Sequence, residues 1–338
     1  MRSLDDAALP AFAPVAEVRP LRIVAAGGGT GLPRVLVGLA AGVEPEEDRP
    51  VEVTAVVTTA DDGGSSGALR RAYGVPAAGD VRNCLVALSA GANPLAAVFQ
   101  HRFDGGGGLA GHTVGNVVLT ALAQRLGDFS RAVEAAGLLL GVRGRVLPAS
   151  DRPVELVARL DDGRIVRGET SIARSGGRIE ELRLARAAKA PREAVEAILA
   201  ADVVVLGPGS LYSSVLASVL ARGMPEALRA TAATRVLVVN LLTQPGETEG
   251  CSAADHVRAV QQHLGDVVDV ALLHRPPLPP ALTAAHAAEG AAPVEVDRDE
   301  VEALGAVPMV LDLLAPGHVA RHDPQKLARA LLAIARAR

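Results

Sequence analysis

"LRIVAAGGGTGLPRVLVGLA" (21–40) and, further along, "VEVTAVVTTADDGGSSGALR" (51–70) decide the fold. Each opens with a short apolar run of the kind that forms a strand buried on both faces, and each run ends in a glycine-rich loop. In the first, Pro33 suits the opening turn of a helix over 32–40. Strand, loop, helix and strand make a βαβ beginning. It sets both glycine loops at the carboxyl ends of neighbouring strands, where open α/β sheets bind ligands.

Outward from that unit, residues 80–141 turn helical in "DVRNCLVALSA", "NPLAAVFQHRF", "GHTVGNVVLTALAQRLG" and "DFSRAVEAAGLLLG", with Asp128 as N-cap of the last. Over 144–187 the character changes. In "PVELVARLDDGRIVRGET" two β-type runs flank Asp161-Asp162-Gly163, a hairpin signal that predicts an antiparallel insertion. The α/β rhythm resumes in "ADVVVLGPGSLYSSVLASVL" (201–220), "TRVLVVNLLTQPGETEG" (234–250), a helix over 252–265 and a strand over 267–275; Asp323 caps a C-terminal helix. The expected fold is α/β: a Rossmann-like, doubly wound, mainly parallel sheet with a helical segment and a small antiparallel hairpin insertion. One domain over 20–338 follows a loose tail over 1–19.

The composition excludes several classes. With 338 residues and 49% hydrophobic content there is material for a full core, so disorder is not expected. A net charge of −4, with four Phe, two Tyr and no Trp, suits neither a phosphate backbone nor a base-stacking surface, so no nucleic-acid partner is expected. Cys84 and Cys251 are too few for a disulfide framework or a zinc site and fit a reducing cytoplasm. The first nineteen residues lack the basic start and apolar run of a signal peptide, and no apolar stretch is long enough for a membrane span.

The loops carry the chemistry. Gly27, Gly28, Gly29 and Gly31 let a ligand approach the backbone, and the helix behind them offers unpaired N–H groups to an anion. The loop is not the dinucleotide fingerprint, because Arg34 stands where a third glycine is required, nor is it a Walker A loop. That weakens a nicotinamide-dependent dehydrogenase reading. "VLGPGSLYSSVL" (205–216) repeats the physics with Gly207, Gly209 and Ser210 before a helical run, so a diphosphate or two separate anionic groups are expected.

Asp61 and Asp62 would repel a phosphate, against a favourable helix-dipole effect of only roughly 0.3–1 kcal/mol for an anion at an exposed helix start. They are expected to hold ribose or sugar hydroxyls or a Mg²⁺ that bridges to phosphates, or else one caps the next helix while the other is solvated. Asp80, Arg82 and Asn83 open another helix, where Arg82 suits phosphate or a uracil-like carbonyl edge. His112, Thr113 and Asn116 begin a further one, and Pro245–Thr248 form a polar turn at the same sheet edge. There is no G-x-S-x-G elbow, no H-E-x-x-H and no Cys/His cluster, and no acid–base dyad can be named.

Taken in order, "GGGTGLPRVLVGL", "TTADDGGSSGALR", "GDVRNCLVALS", "GHTVGNVVLTAL", "VLGPGSLYSSVL" and "NLLTQPGETEGCSAADHV" resemble the YvcK-type gluconeogenesis factors, relatives of the CofD 2-phospho-lactate transferases. The resemblance spans about 27–257. It implies a Rossmann-like regulator that binds UDP-N-acetylglucosamine, requires no cofactor, and adjusts carbon flow to cell-wall precursors and cell shape; NAD(P) or Mg²⁺ are further conceivable occupants. It implies Gly28, Gly29, Thr30 and Gly31 at the diphosphate, and Asp61 and Asp62, with Gly63, Gly64 and Ser65, on the ribose or metal side. Asp80, Arg82, Asn83 and Asn116 line the cleft, and Gly207, Gly209, Ser210 and Leu211 form the second loop. Near the end "HAAEGAAPVEVD" and "VARHDPQKLARAL" are similar to a region linked to nucleotide-sugar binding, with Arg321 retained and His286 where the family pattern leads one to expect Tyr. A cytoplasmic homo-oligomer acting on an amino-sugar or cell-wall enzyme follows. The CofD relation keeps a Mg-dependent 2-phospho-L-lactate transferase acting on a deazaflavin as the alternative.

Overall fold

A computed structural model describes residues 19–41, 49–89, 91 and 93–337. All but the last residue of the tail expected over 1–19 lies outside the described residues. Among the described residues there are ten strands: β1 (Leu21–Gly27), β2 (Val51–Val57), β3 (Arg145–Pro148), β4 (Leu156–Leu160), β5 (Ile165–Arg167), β6 (Ile179–Leu184), β7 (Val203–Leu206), β8 (Thr234–Val238), β9 (Val270–His274) and β10 (Val307–Leu311). Seven of them form one sheet in the order β10-β9-β8-β7-β1-β2-β3, with every pairing parallel. The order reverses between β1 and β7, so the chain winds outward in both directions from that seam. This is the doubly wound arrangement, and its crevice opens above the seam.

Alternation along β1 explains the layers. Ile23 and Ala25 face helices Leu32–Ala41, Gly79–Ala87 and Pro324–Arg336, while Val24 and Ala26 face Leu211–Ser218, Met224–Ala230 and Ala253–Leu264. A strand buried on both faces reads as an unbroken apolar run, as 21–27 does. Two of the predicted helix caps are in place: Asp128 accepts from the Arg131 amide at 2.8 Å, and Asp323 from the Gln325 and Lys326 amides at 2.9 and 3.0 Å.

The antiparallel unit is smaller than 144–187. Residues 145–148 pair parallel with β2 as an edge strand of the main sheet, and only β4, β5 and β6 form the antiparallel sheet, in the order β5-β4-β6. The β4–β5 hairpin turns at Asp161-Asp162-Gly163. Both edges of the large sheet carry a proline, Pro148 in β3 and Pro308 in β10, which is where a residue without an N–H can sit in a sheet. Among the described residues no helix is long and apolar enough to cross a membrane.

Candidate functional site

The register brings three loops out side by side, because Gly27 pairs with Val57 and Ala26 with Leu206. The two glycine loops then touch. The Gly207 amide donates to Ala26 O at 2.9 Å, and a Cβ on Gly31 would lie 2.3 Å from Pro208 O, so any side chain there would force the loops apart. A Cβ on Gly28 would likewise lie 2.5 Å from Asp80 Oδ2. The N–H groups of Thr30, Gly31 and Ser210 have no protein acceptor among the described residues. Two touching loops therefore leave main-chain donors unpaired beside the β1/β7 seam, as an anion needs.

Carboxylates already hold the donors next to these. Asp80 accepts from the Gly29 amide; burial pushes its carboxyl up to about 6, against the lowering effect of that bond. Glu247, 6% exposed, accepts from Ser213 Oγ at 2.6 Å and from the Tyr212 amide at 3.3 Å, and burial raises it too. The helical run expected after Ser210 is irregular. Residues 211–218 run as a wide turn and then a tight one, and Ser210 makes no capping bond. Its Oγ instead accepts from Gln244 Nε2 at 2.9 Å, and the first turn is occupied by Glu247. Asn240 clamps Gly209 from both sides, accepting from its amide at 3.2 Å and donating to its carbonyl at 2.8 Å.

The acid pair diverges. Asp61 accepts from the Gly63 amide at 2.8 Å and lies beside Gly79 at the start of the Asp80 helix. Asp62 points to the insertion, where its Oδ1 accepts from the Thr170 amide at 3.0 Å and from Thr170 Oγ1 at 2.7 Å, capping the short helix Glu169–Ile172. Glu169 thereby joins the crevice. Burial, reinforced by Asp61 and Asp62, pushes its carboxyl up to about 7. No local signal marks Glu169 in the sequence. Among the described residues no three His, Cys, Asp or Glu side chains are placed to hold a metal ion, so a Mg²⁺ here would depend on oxygens brought by a ligand.

Behind the acids lies a buried polar network on the helices starting at Gly64, Gly79 and Val114. Arg82, 8% exposed, donates through Nη1 to Thr113 Oγ1 and to Asn116 Oδ1 at 3.0 Å, and through Nη2 to Asn83 Oδ1 at 2.8 Å. Its Nε–H has no partner among the described residues. Burial, followed by the neighbouring Arg102, lowers its proton affinity. Asn116 Nδ2 donates to Ser65 Oγ at 3.1 Å, and Ser65 Oγ meets His112 Nδ1 at 3.0 Å.

On the opposite flank, past β8, His286 Nε2 accepts from the Ala320 amide at 3.2 Å, so the helix Pro280–Ala287 and the 314–322 loop carrying Arg321 are joined. Arg321 is exposed, and its carbonyl holds the Ala315 amide at 2.9 Å. His322 beside it is buried and pushed down to about 4 by that burial, with His274 adding to the effect. His274 lines a cavity of about 730 Å³ whose walls include Leu241, Pro276, Leu278 and Val294. The predicted residues thus form two clusters joined by the glycine loops, with Arg321 on the far flank.

The family model for 2-phospho-L-lactate transferase CofD matches residues 23–314. The chain belongs to the CofD family. Within the CofD family it is similar to proteins named gluconeogenesis factor. That of Halalkalibacterium halodurans is 45% identical over 314 residues, covering 92% of this chain and 95% of the relative. That of Bacillus subtilis is 40% identical over 315 residues, covering 92% and 97%. A solved structure from Bacillus halodurans, of a UPF0052-family member, is 43% identical and covers 93% of this CofD-family chain and 99% of its own, with a TM-score of 0.88.

Proposed function

We propose that this chain is a nucleotide-sugar-binding regulator, with UDP-N-acetylglucosamine as its ligand, that adjusts carbon flow towards cell-wall precursors and so affects cell shape. The observation that carries the reading is the meeting of two glycine loops over the β1/β7 seam, with the open amides of Thr30, Gly31 and Ser210 facing one crevice. The diphosphate takes those amides and the hydroxyl-bearing parts meet the carboxylates. A ligand with a nucleotide at one end and a sugar at the other would extend along the carboxyl ends of the strands from these loops. The names of the gluconeogenesis-factor relatives support the regulatory half of the proposal.

The family model's own description, 2-phospho-L-lactate transferase, favours one second reading, the transfer of a phospholactate unit, for which the sequence resemblance implies a deazaflavin acceptor and Mg²⁺. Thermal shift separates the two. The regulator reading expects stabilisation by UDP-N-acetylglucosamine without metal, about 2.7 kcal/mol at a hundredfold excess over the dissociation constant. No shift with that ligand, together with a shift for GDP plus Mg²⁺, moves the assignment to the transferase.

A further inference from the structure

The Arg82 network has a fixed direction, which sets what it can recognise. A guanidinium only donates, so the Asn116 atom that it meets is the carbonyl oxygen, and the Asn116 amide nitrogen is the donor to Ser65 Oγ. Ser65 Oγ therefore accepts from Asn116, and its own proton is available to His112 Nδ1, 3.0 Å away. With Ser65 as donor, Nδ1 is the lone-pair nitrogen and the ring proton of His112 sits on Nε2. His112 is only half-buried, so this Nε2–H is an oriented donor at the open end of the chain. At the buried end Arg82 keeps a second donor, its Nε–H, which is 8% exposed as a residue and without a partner among the described residues.

Acceptors lie beside these donors. Asp61 and Asp80 are close enough to Arg82 to act on it electrostatically, and Asp80 sits two residues before it on the same helix while holding the Gly29 amide. An acceptor-only phosphate at this place would face two carboxylates. A sugar hydroxyl both donates and accepts, and a hexose offers several of them on a rigid ring. The geometry points to a hexose-recognising subsite built from Ser65, Arg82, His112 and Asn116, with Asp61 and Asp80 accepting the sugar's hydroxyl protons. This rests on the nucleotide-sugar reading and deepens it. The hexose lies on the β2 side of the seam and the nucleotide extends across the glycine loops towards β8.

Calorimetric titration of the full chain with UDP and with UDP-N-acetylglucosamine tests the assignment. His112→Ala is expected to leave UDP affinity within about twofold of the unsubstituted protein and to weaken UDP-N-acetylglucosamine about tenfold, the loss of one well-placed hydrogen bond. His112→Gln keeps an N–H donor and recovers part of that loss. Ser65→Ala, which frees the imidazole to adopt either tautomer, gives an intermediate loss; the ligand-free melting temperature of each variant reports that it is folded. Equal weakening of both ligands, or unchanged affinity for the sugar nucleotide in the folded His112 variants, overturns the subsite and leaves the nucleotide-sugar reading standing. Failure of the unsubstituted protein to bind either ligand overturns both.

Discussion

Gly31→Ala tests the contact on which the crevice depends. The added Cβ would lie 2.3 Å from Pro208 O, 2.7 Å from Pro208 C and 3.0 Å from Gly209 N, whereas ordinary contacts begin at 3.4 Å. The two loops must separate by about 1 Å, and both are main chain, so no flexible side chain can yield. Overpacking of this kind costs about 1–3 kcal/mol. At roughly 2–4 °C per kcal/mol for large domains, the melting temperature falls by several degrees. The same separation exceeds the tolerance of hydrogen bonds that need about 2.7–3.2 Å, so stabilisation by UDP-N-acetylglucosamine should be largely lost. Gly29 is the internal control. Its φ of +61° demands the left-handed region, but a Cβ there would meet only Ser214 Oγ at 3.5 Å. Asn tolerates that region, so Gly29→Asn should cost less than Gly31→Asn. Differential scanning fluorimetry with and without ligand reads both. A Gly31→Ala protein with unchanged melting and a full ligand shift would refute the claim that the loops meet there.

Other consequences follow from single side chains. Asp62→Ala and Thr170→Ala should each destabilise by about 1–2 kcal/mol, and in a double-mutant cycle the pair should be strongly non-additive; additive losses would mean that the cap does not form. His322 is held down at about 4 from 6.5 by burial, so its contribution is present above pH 6.5 and is lost as pH falls towards 4, by about 3 kcal/mol in all. His322→Asn should flatten that limb of a stability–pH curve, and an unchanged slope would contradict the burial. Glu169 is raised to about 7 from 4.5, so stability should decline as pH rises through that window, and Glu169→Gln should remove the decline in denaturant titrations.

The centre of the fold was legible because its strands are long apolar runs that end in glycine. β1, β2 and β7 each sit between other strands and are buried on both faces, so 21–27, 51–57 and 203–206 announce themselves. The edges were not. β3 is four residues long and directly precedes a true hairpin signal, so its sequence reads as part of the antiparallel unit; β10 contains Pro308, which hides it as a strand. In the site, glycines and acids were visible as local motifs, but their partners were not. The Asp62–Thr170 bond joins residues 108 apart in sequence, and no local pattern in 165–172 marks Glu169 as a neighbour of Asp61. The placing of Glu247 in the first turn after Ser210 is likewise a tertiary event. It changes that helix start from an open anion site into one already half filled by a carboxylate.

A crystal structure of the full chain with UDP-N-acetylglucosamine tests the central claim most directly. The account predicts diphosphate oxygens within hydrogen-bond distance of the Thr30, Gly31 and Ser210 amides above the β1/β7 seam. A diphosphate bound elsewhere, with those three amides facing only solvent, would contradict it.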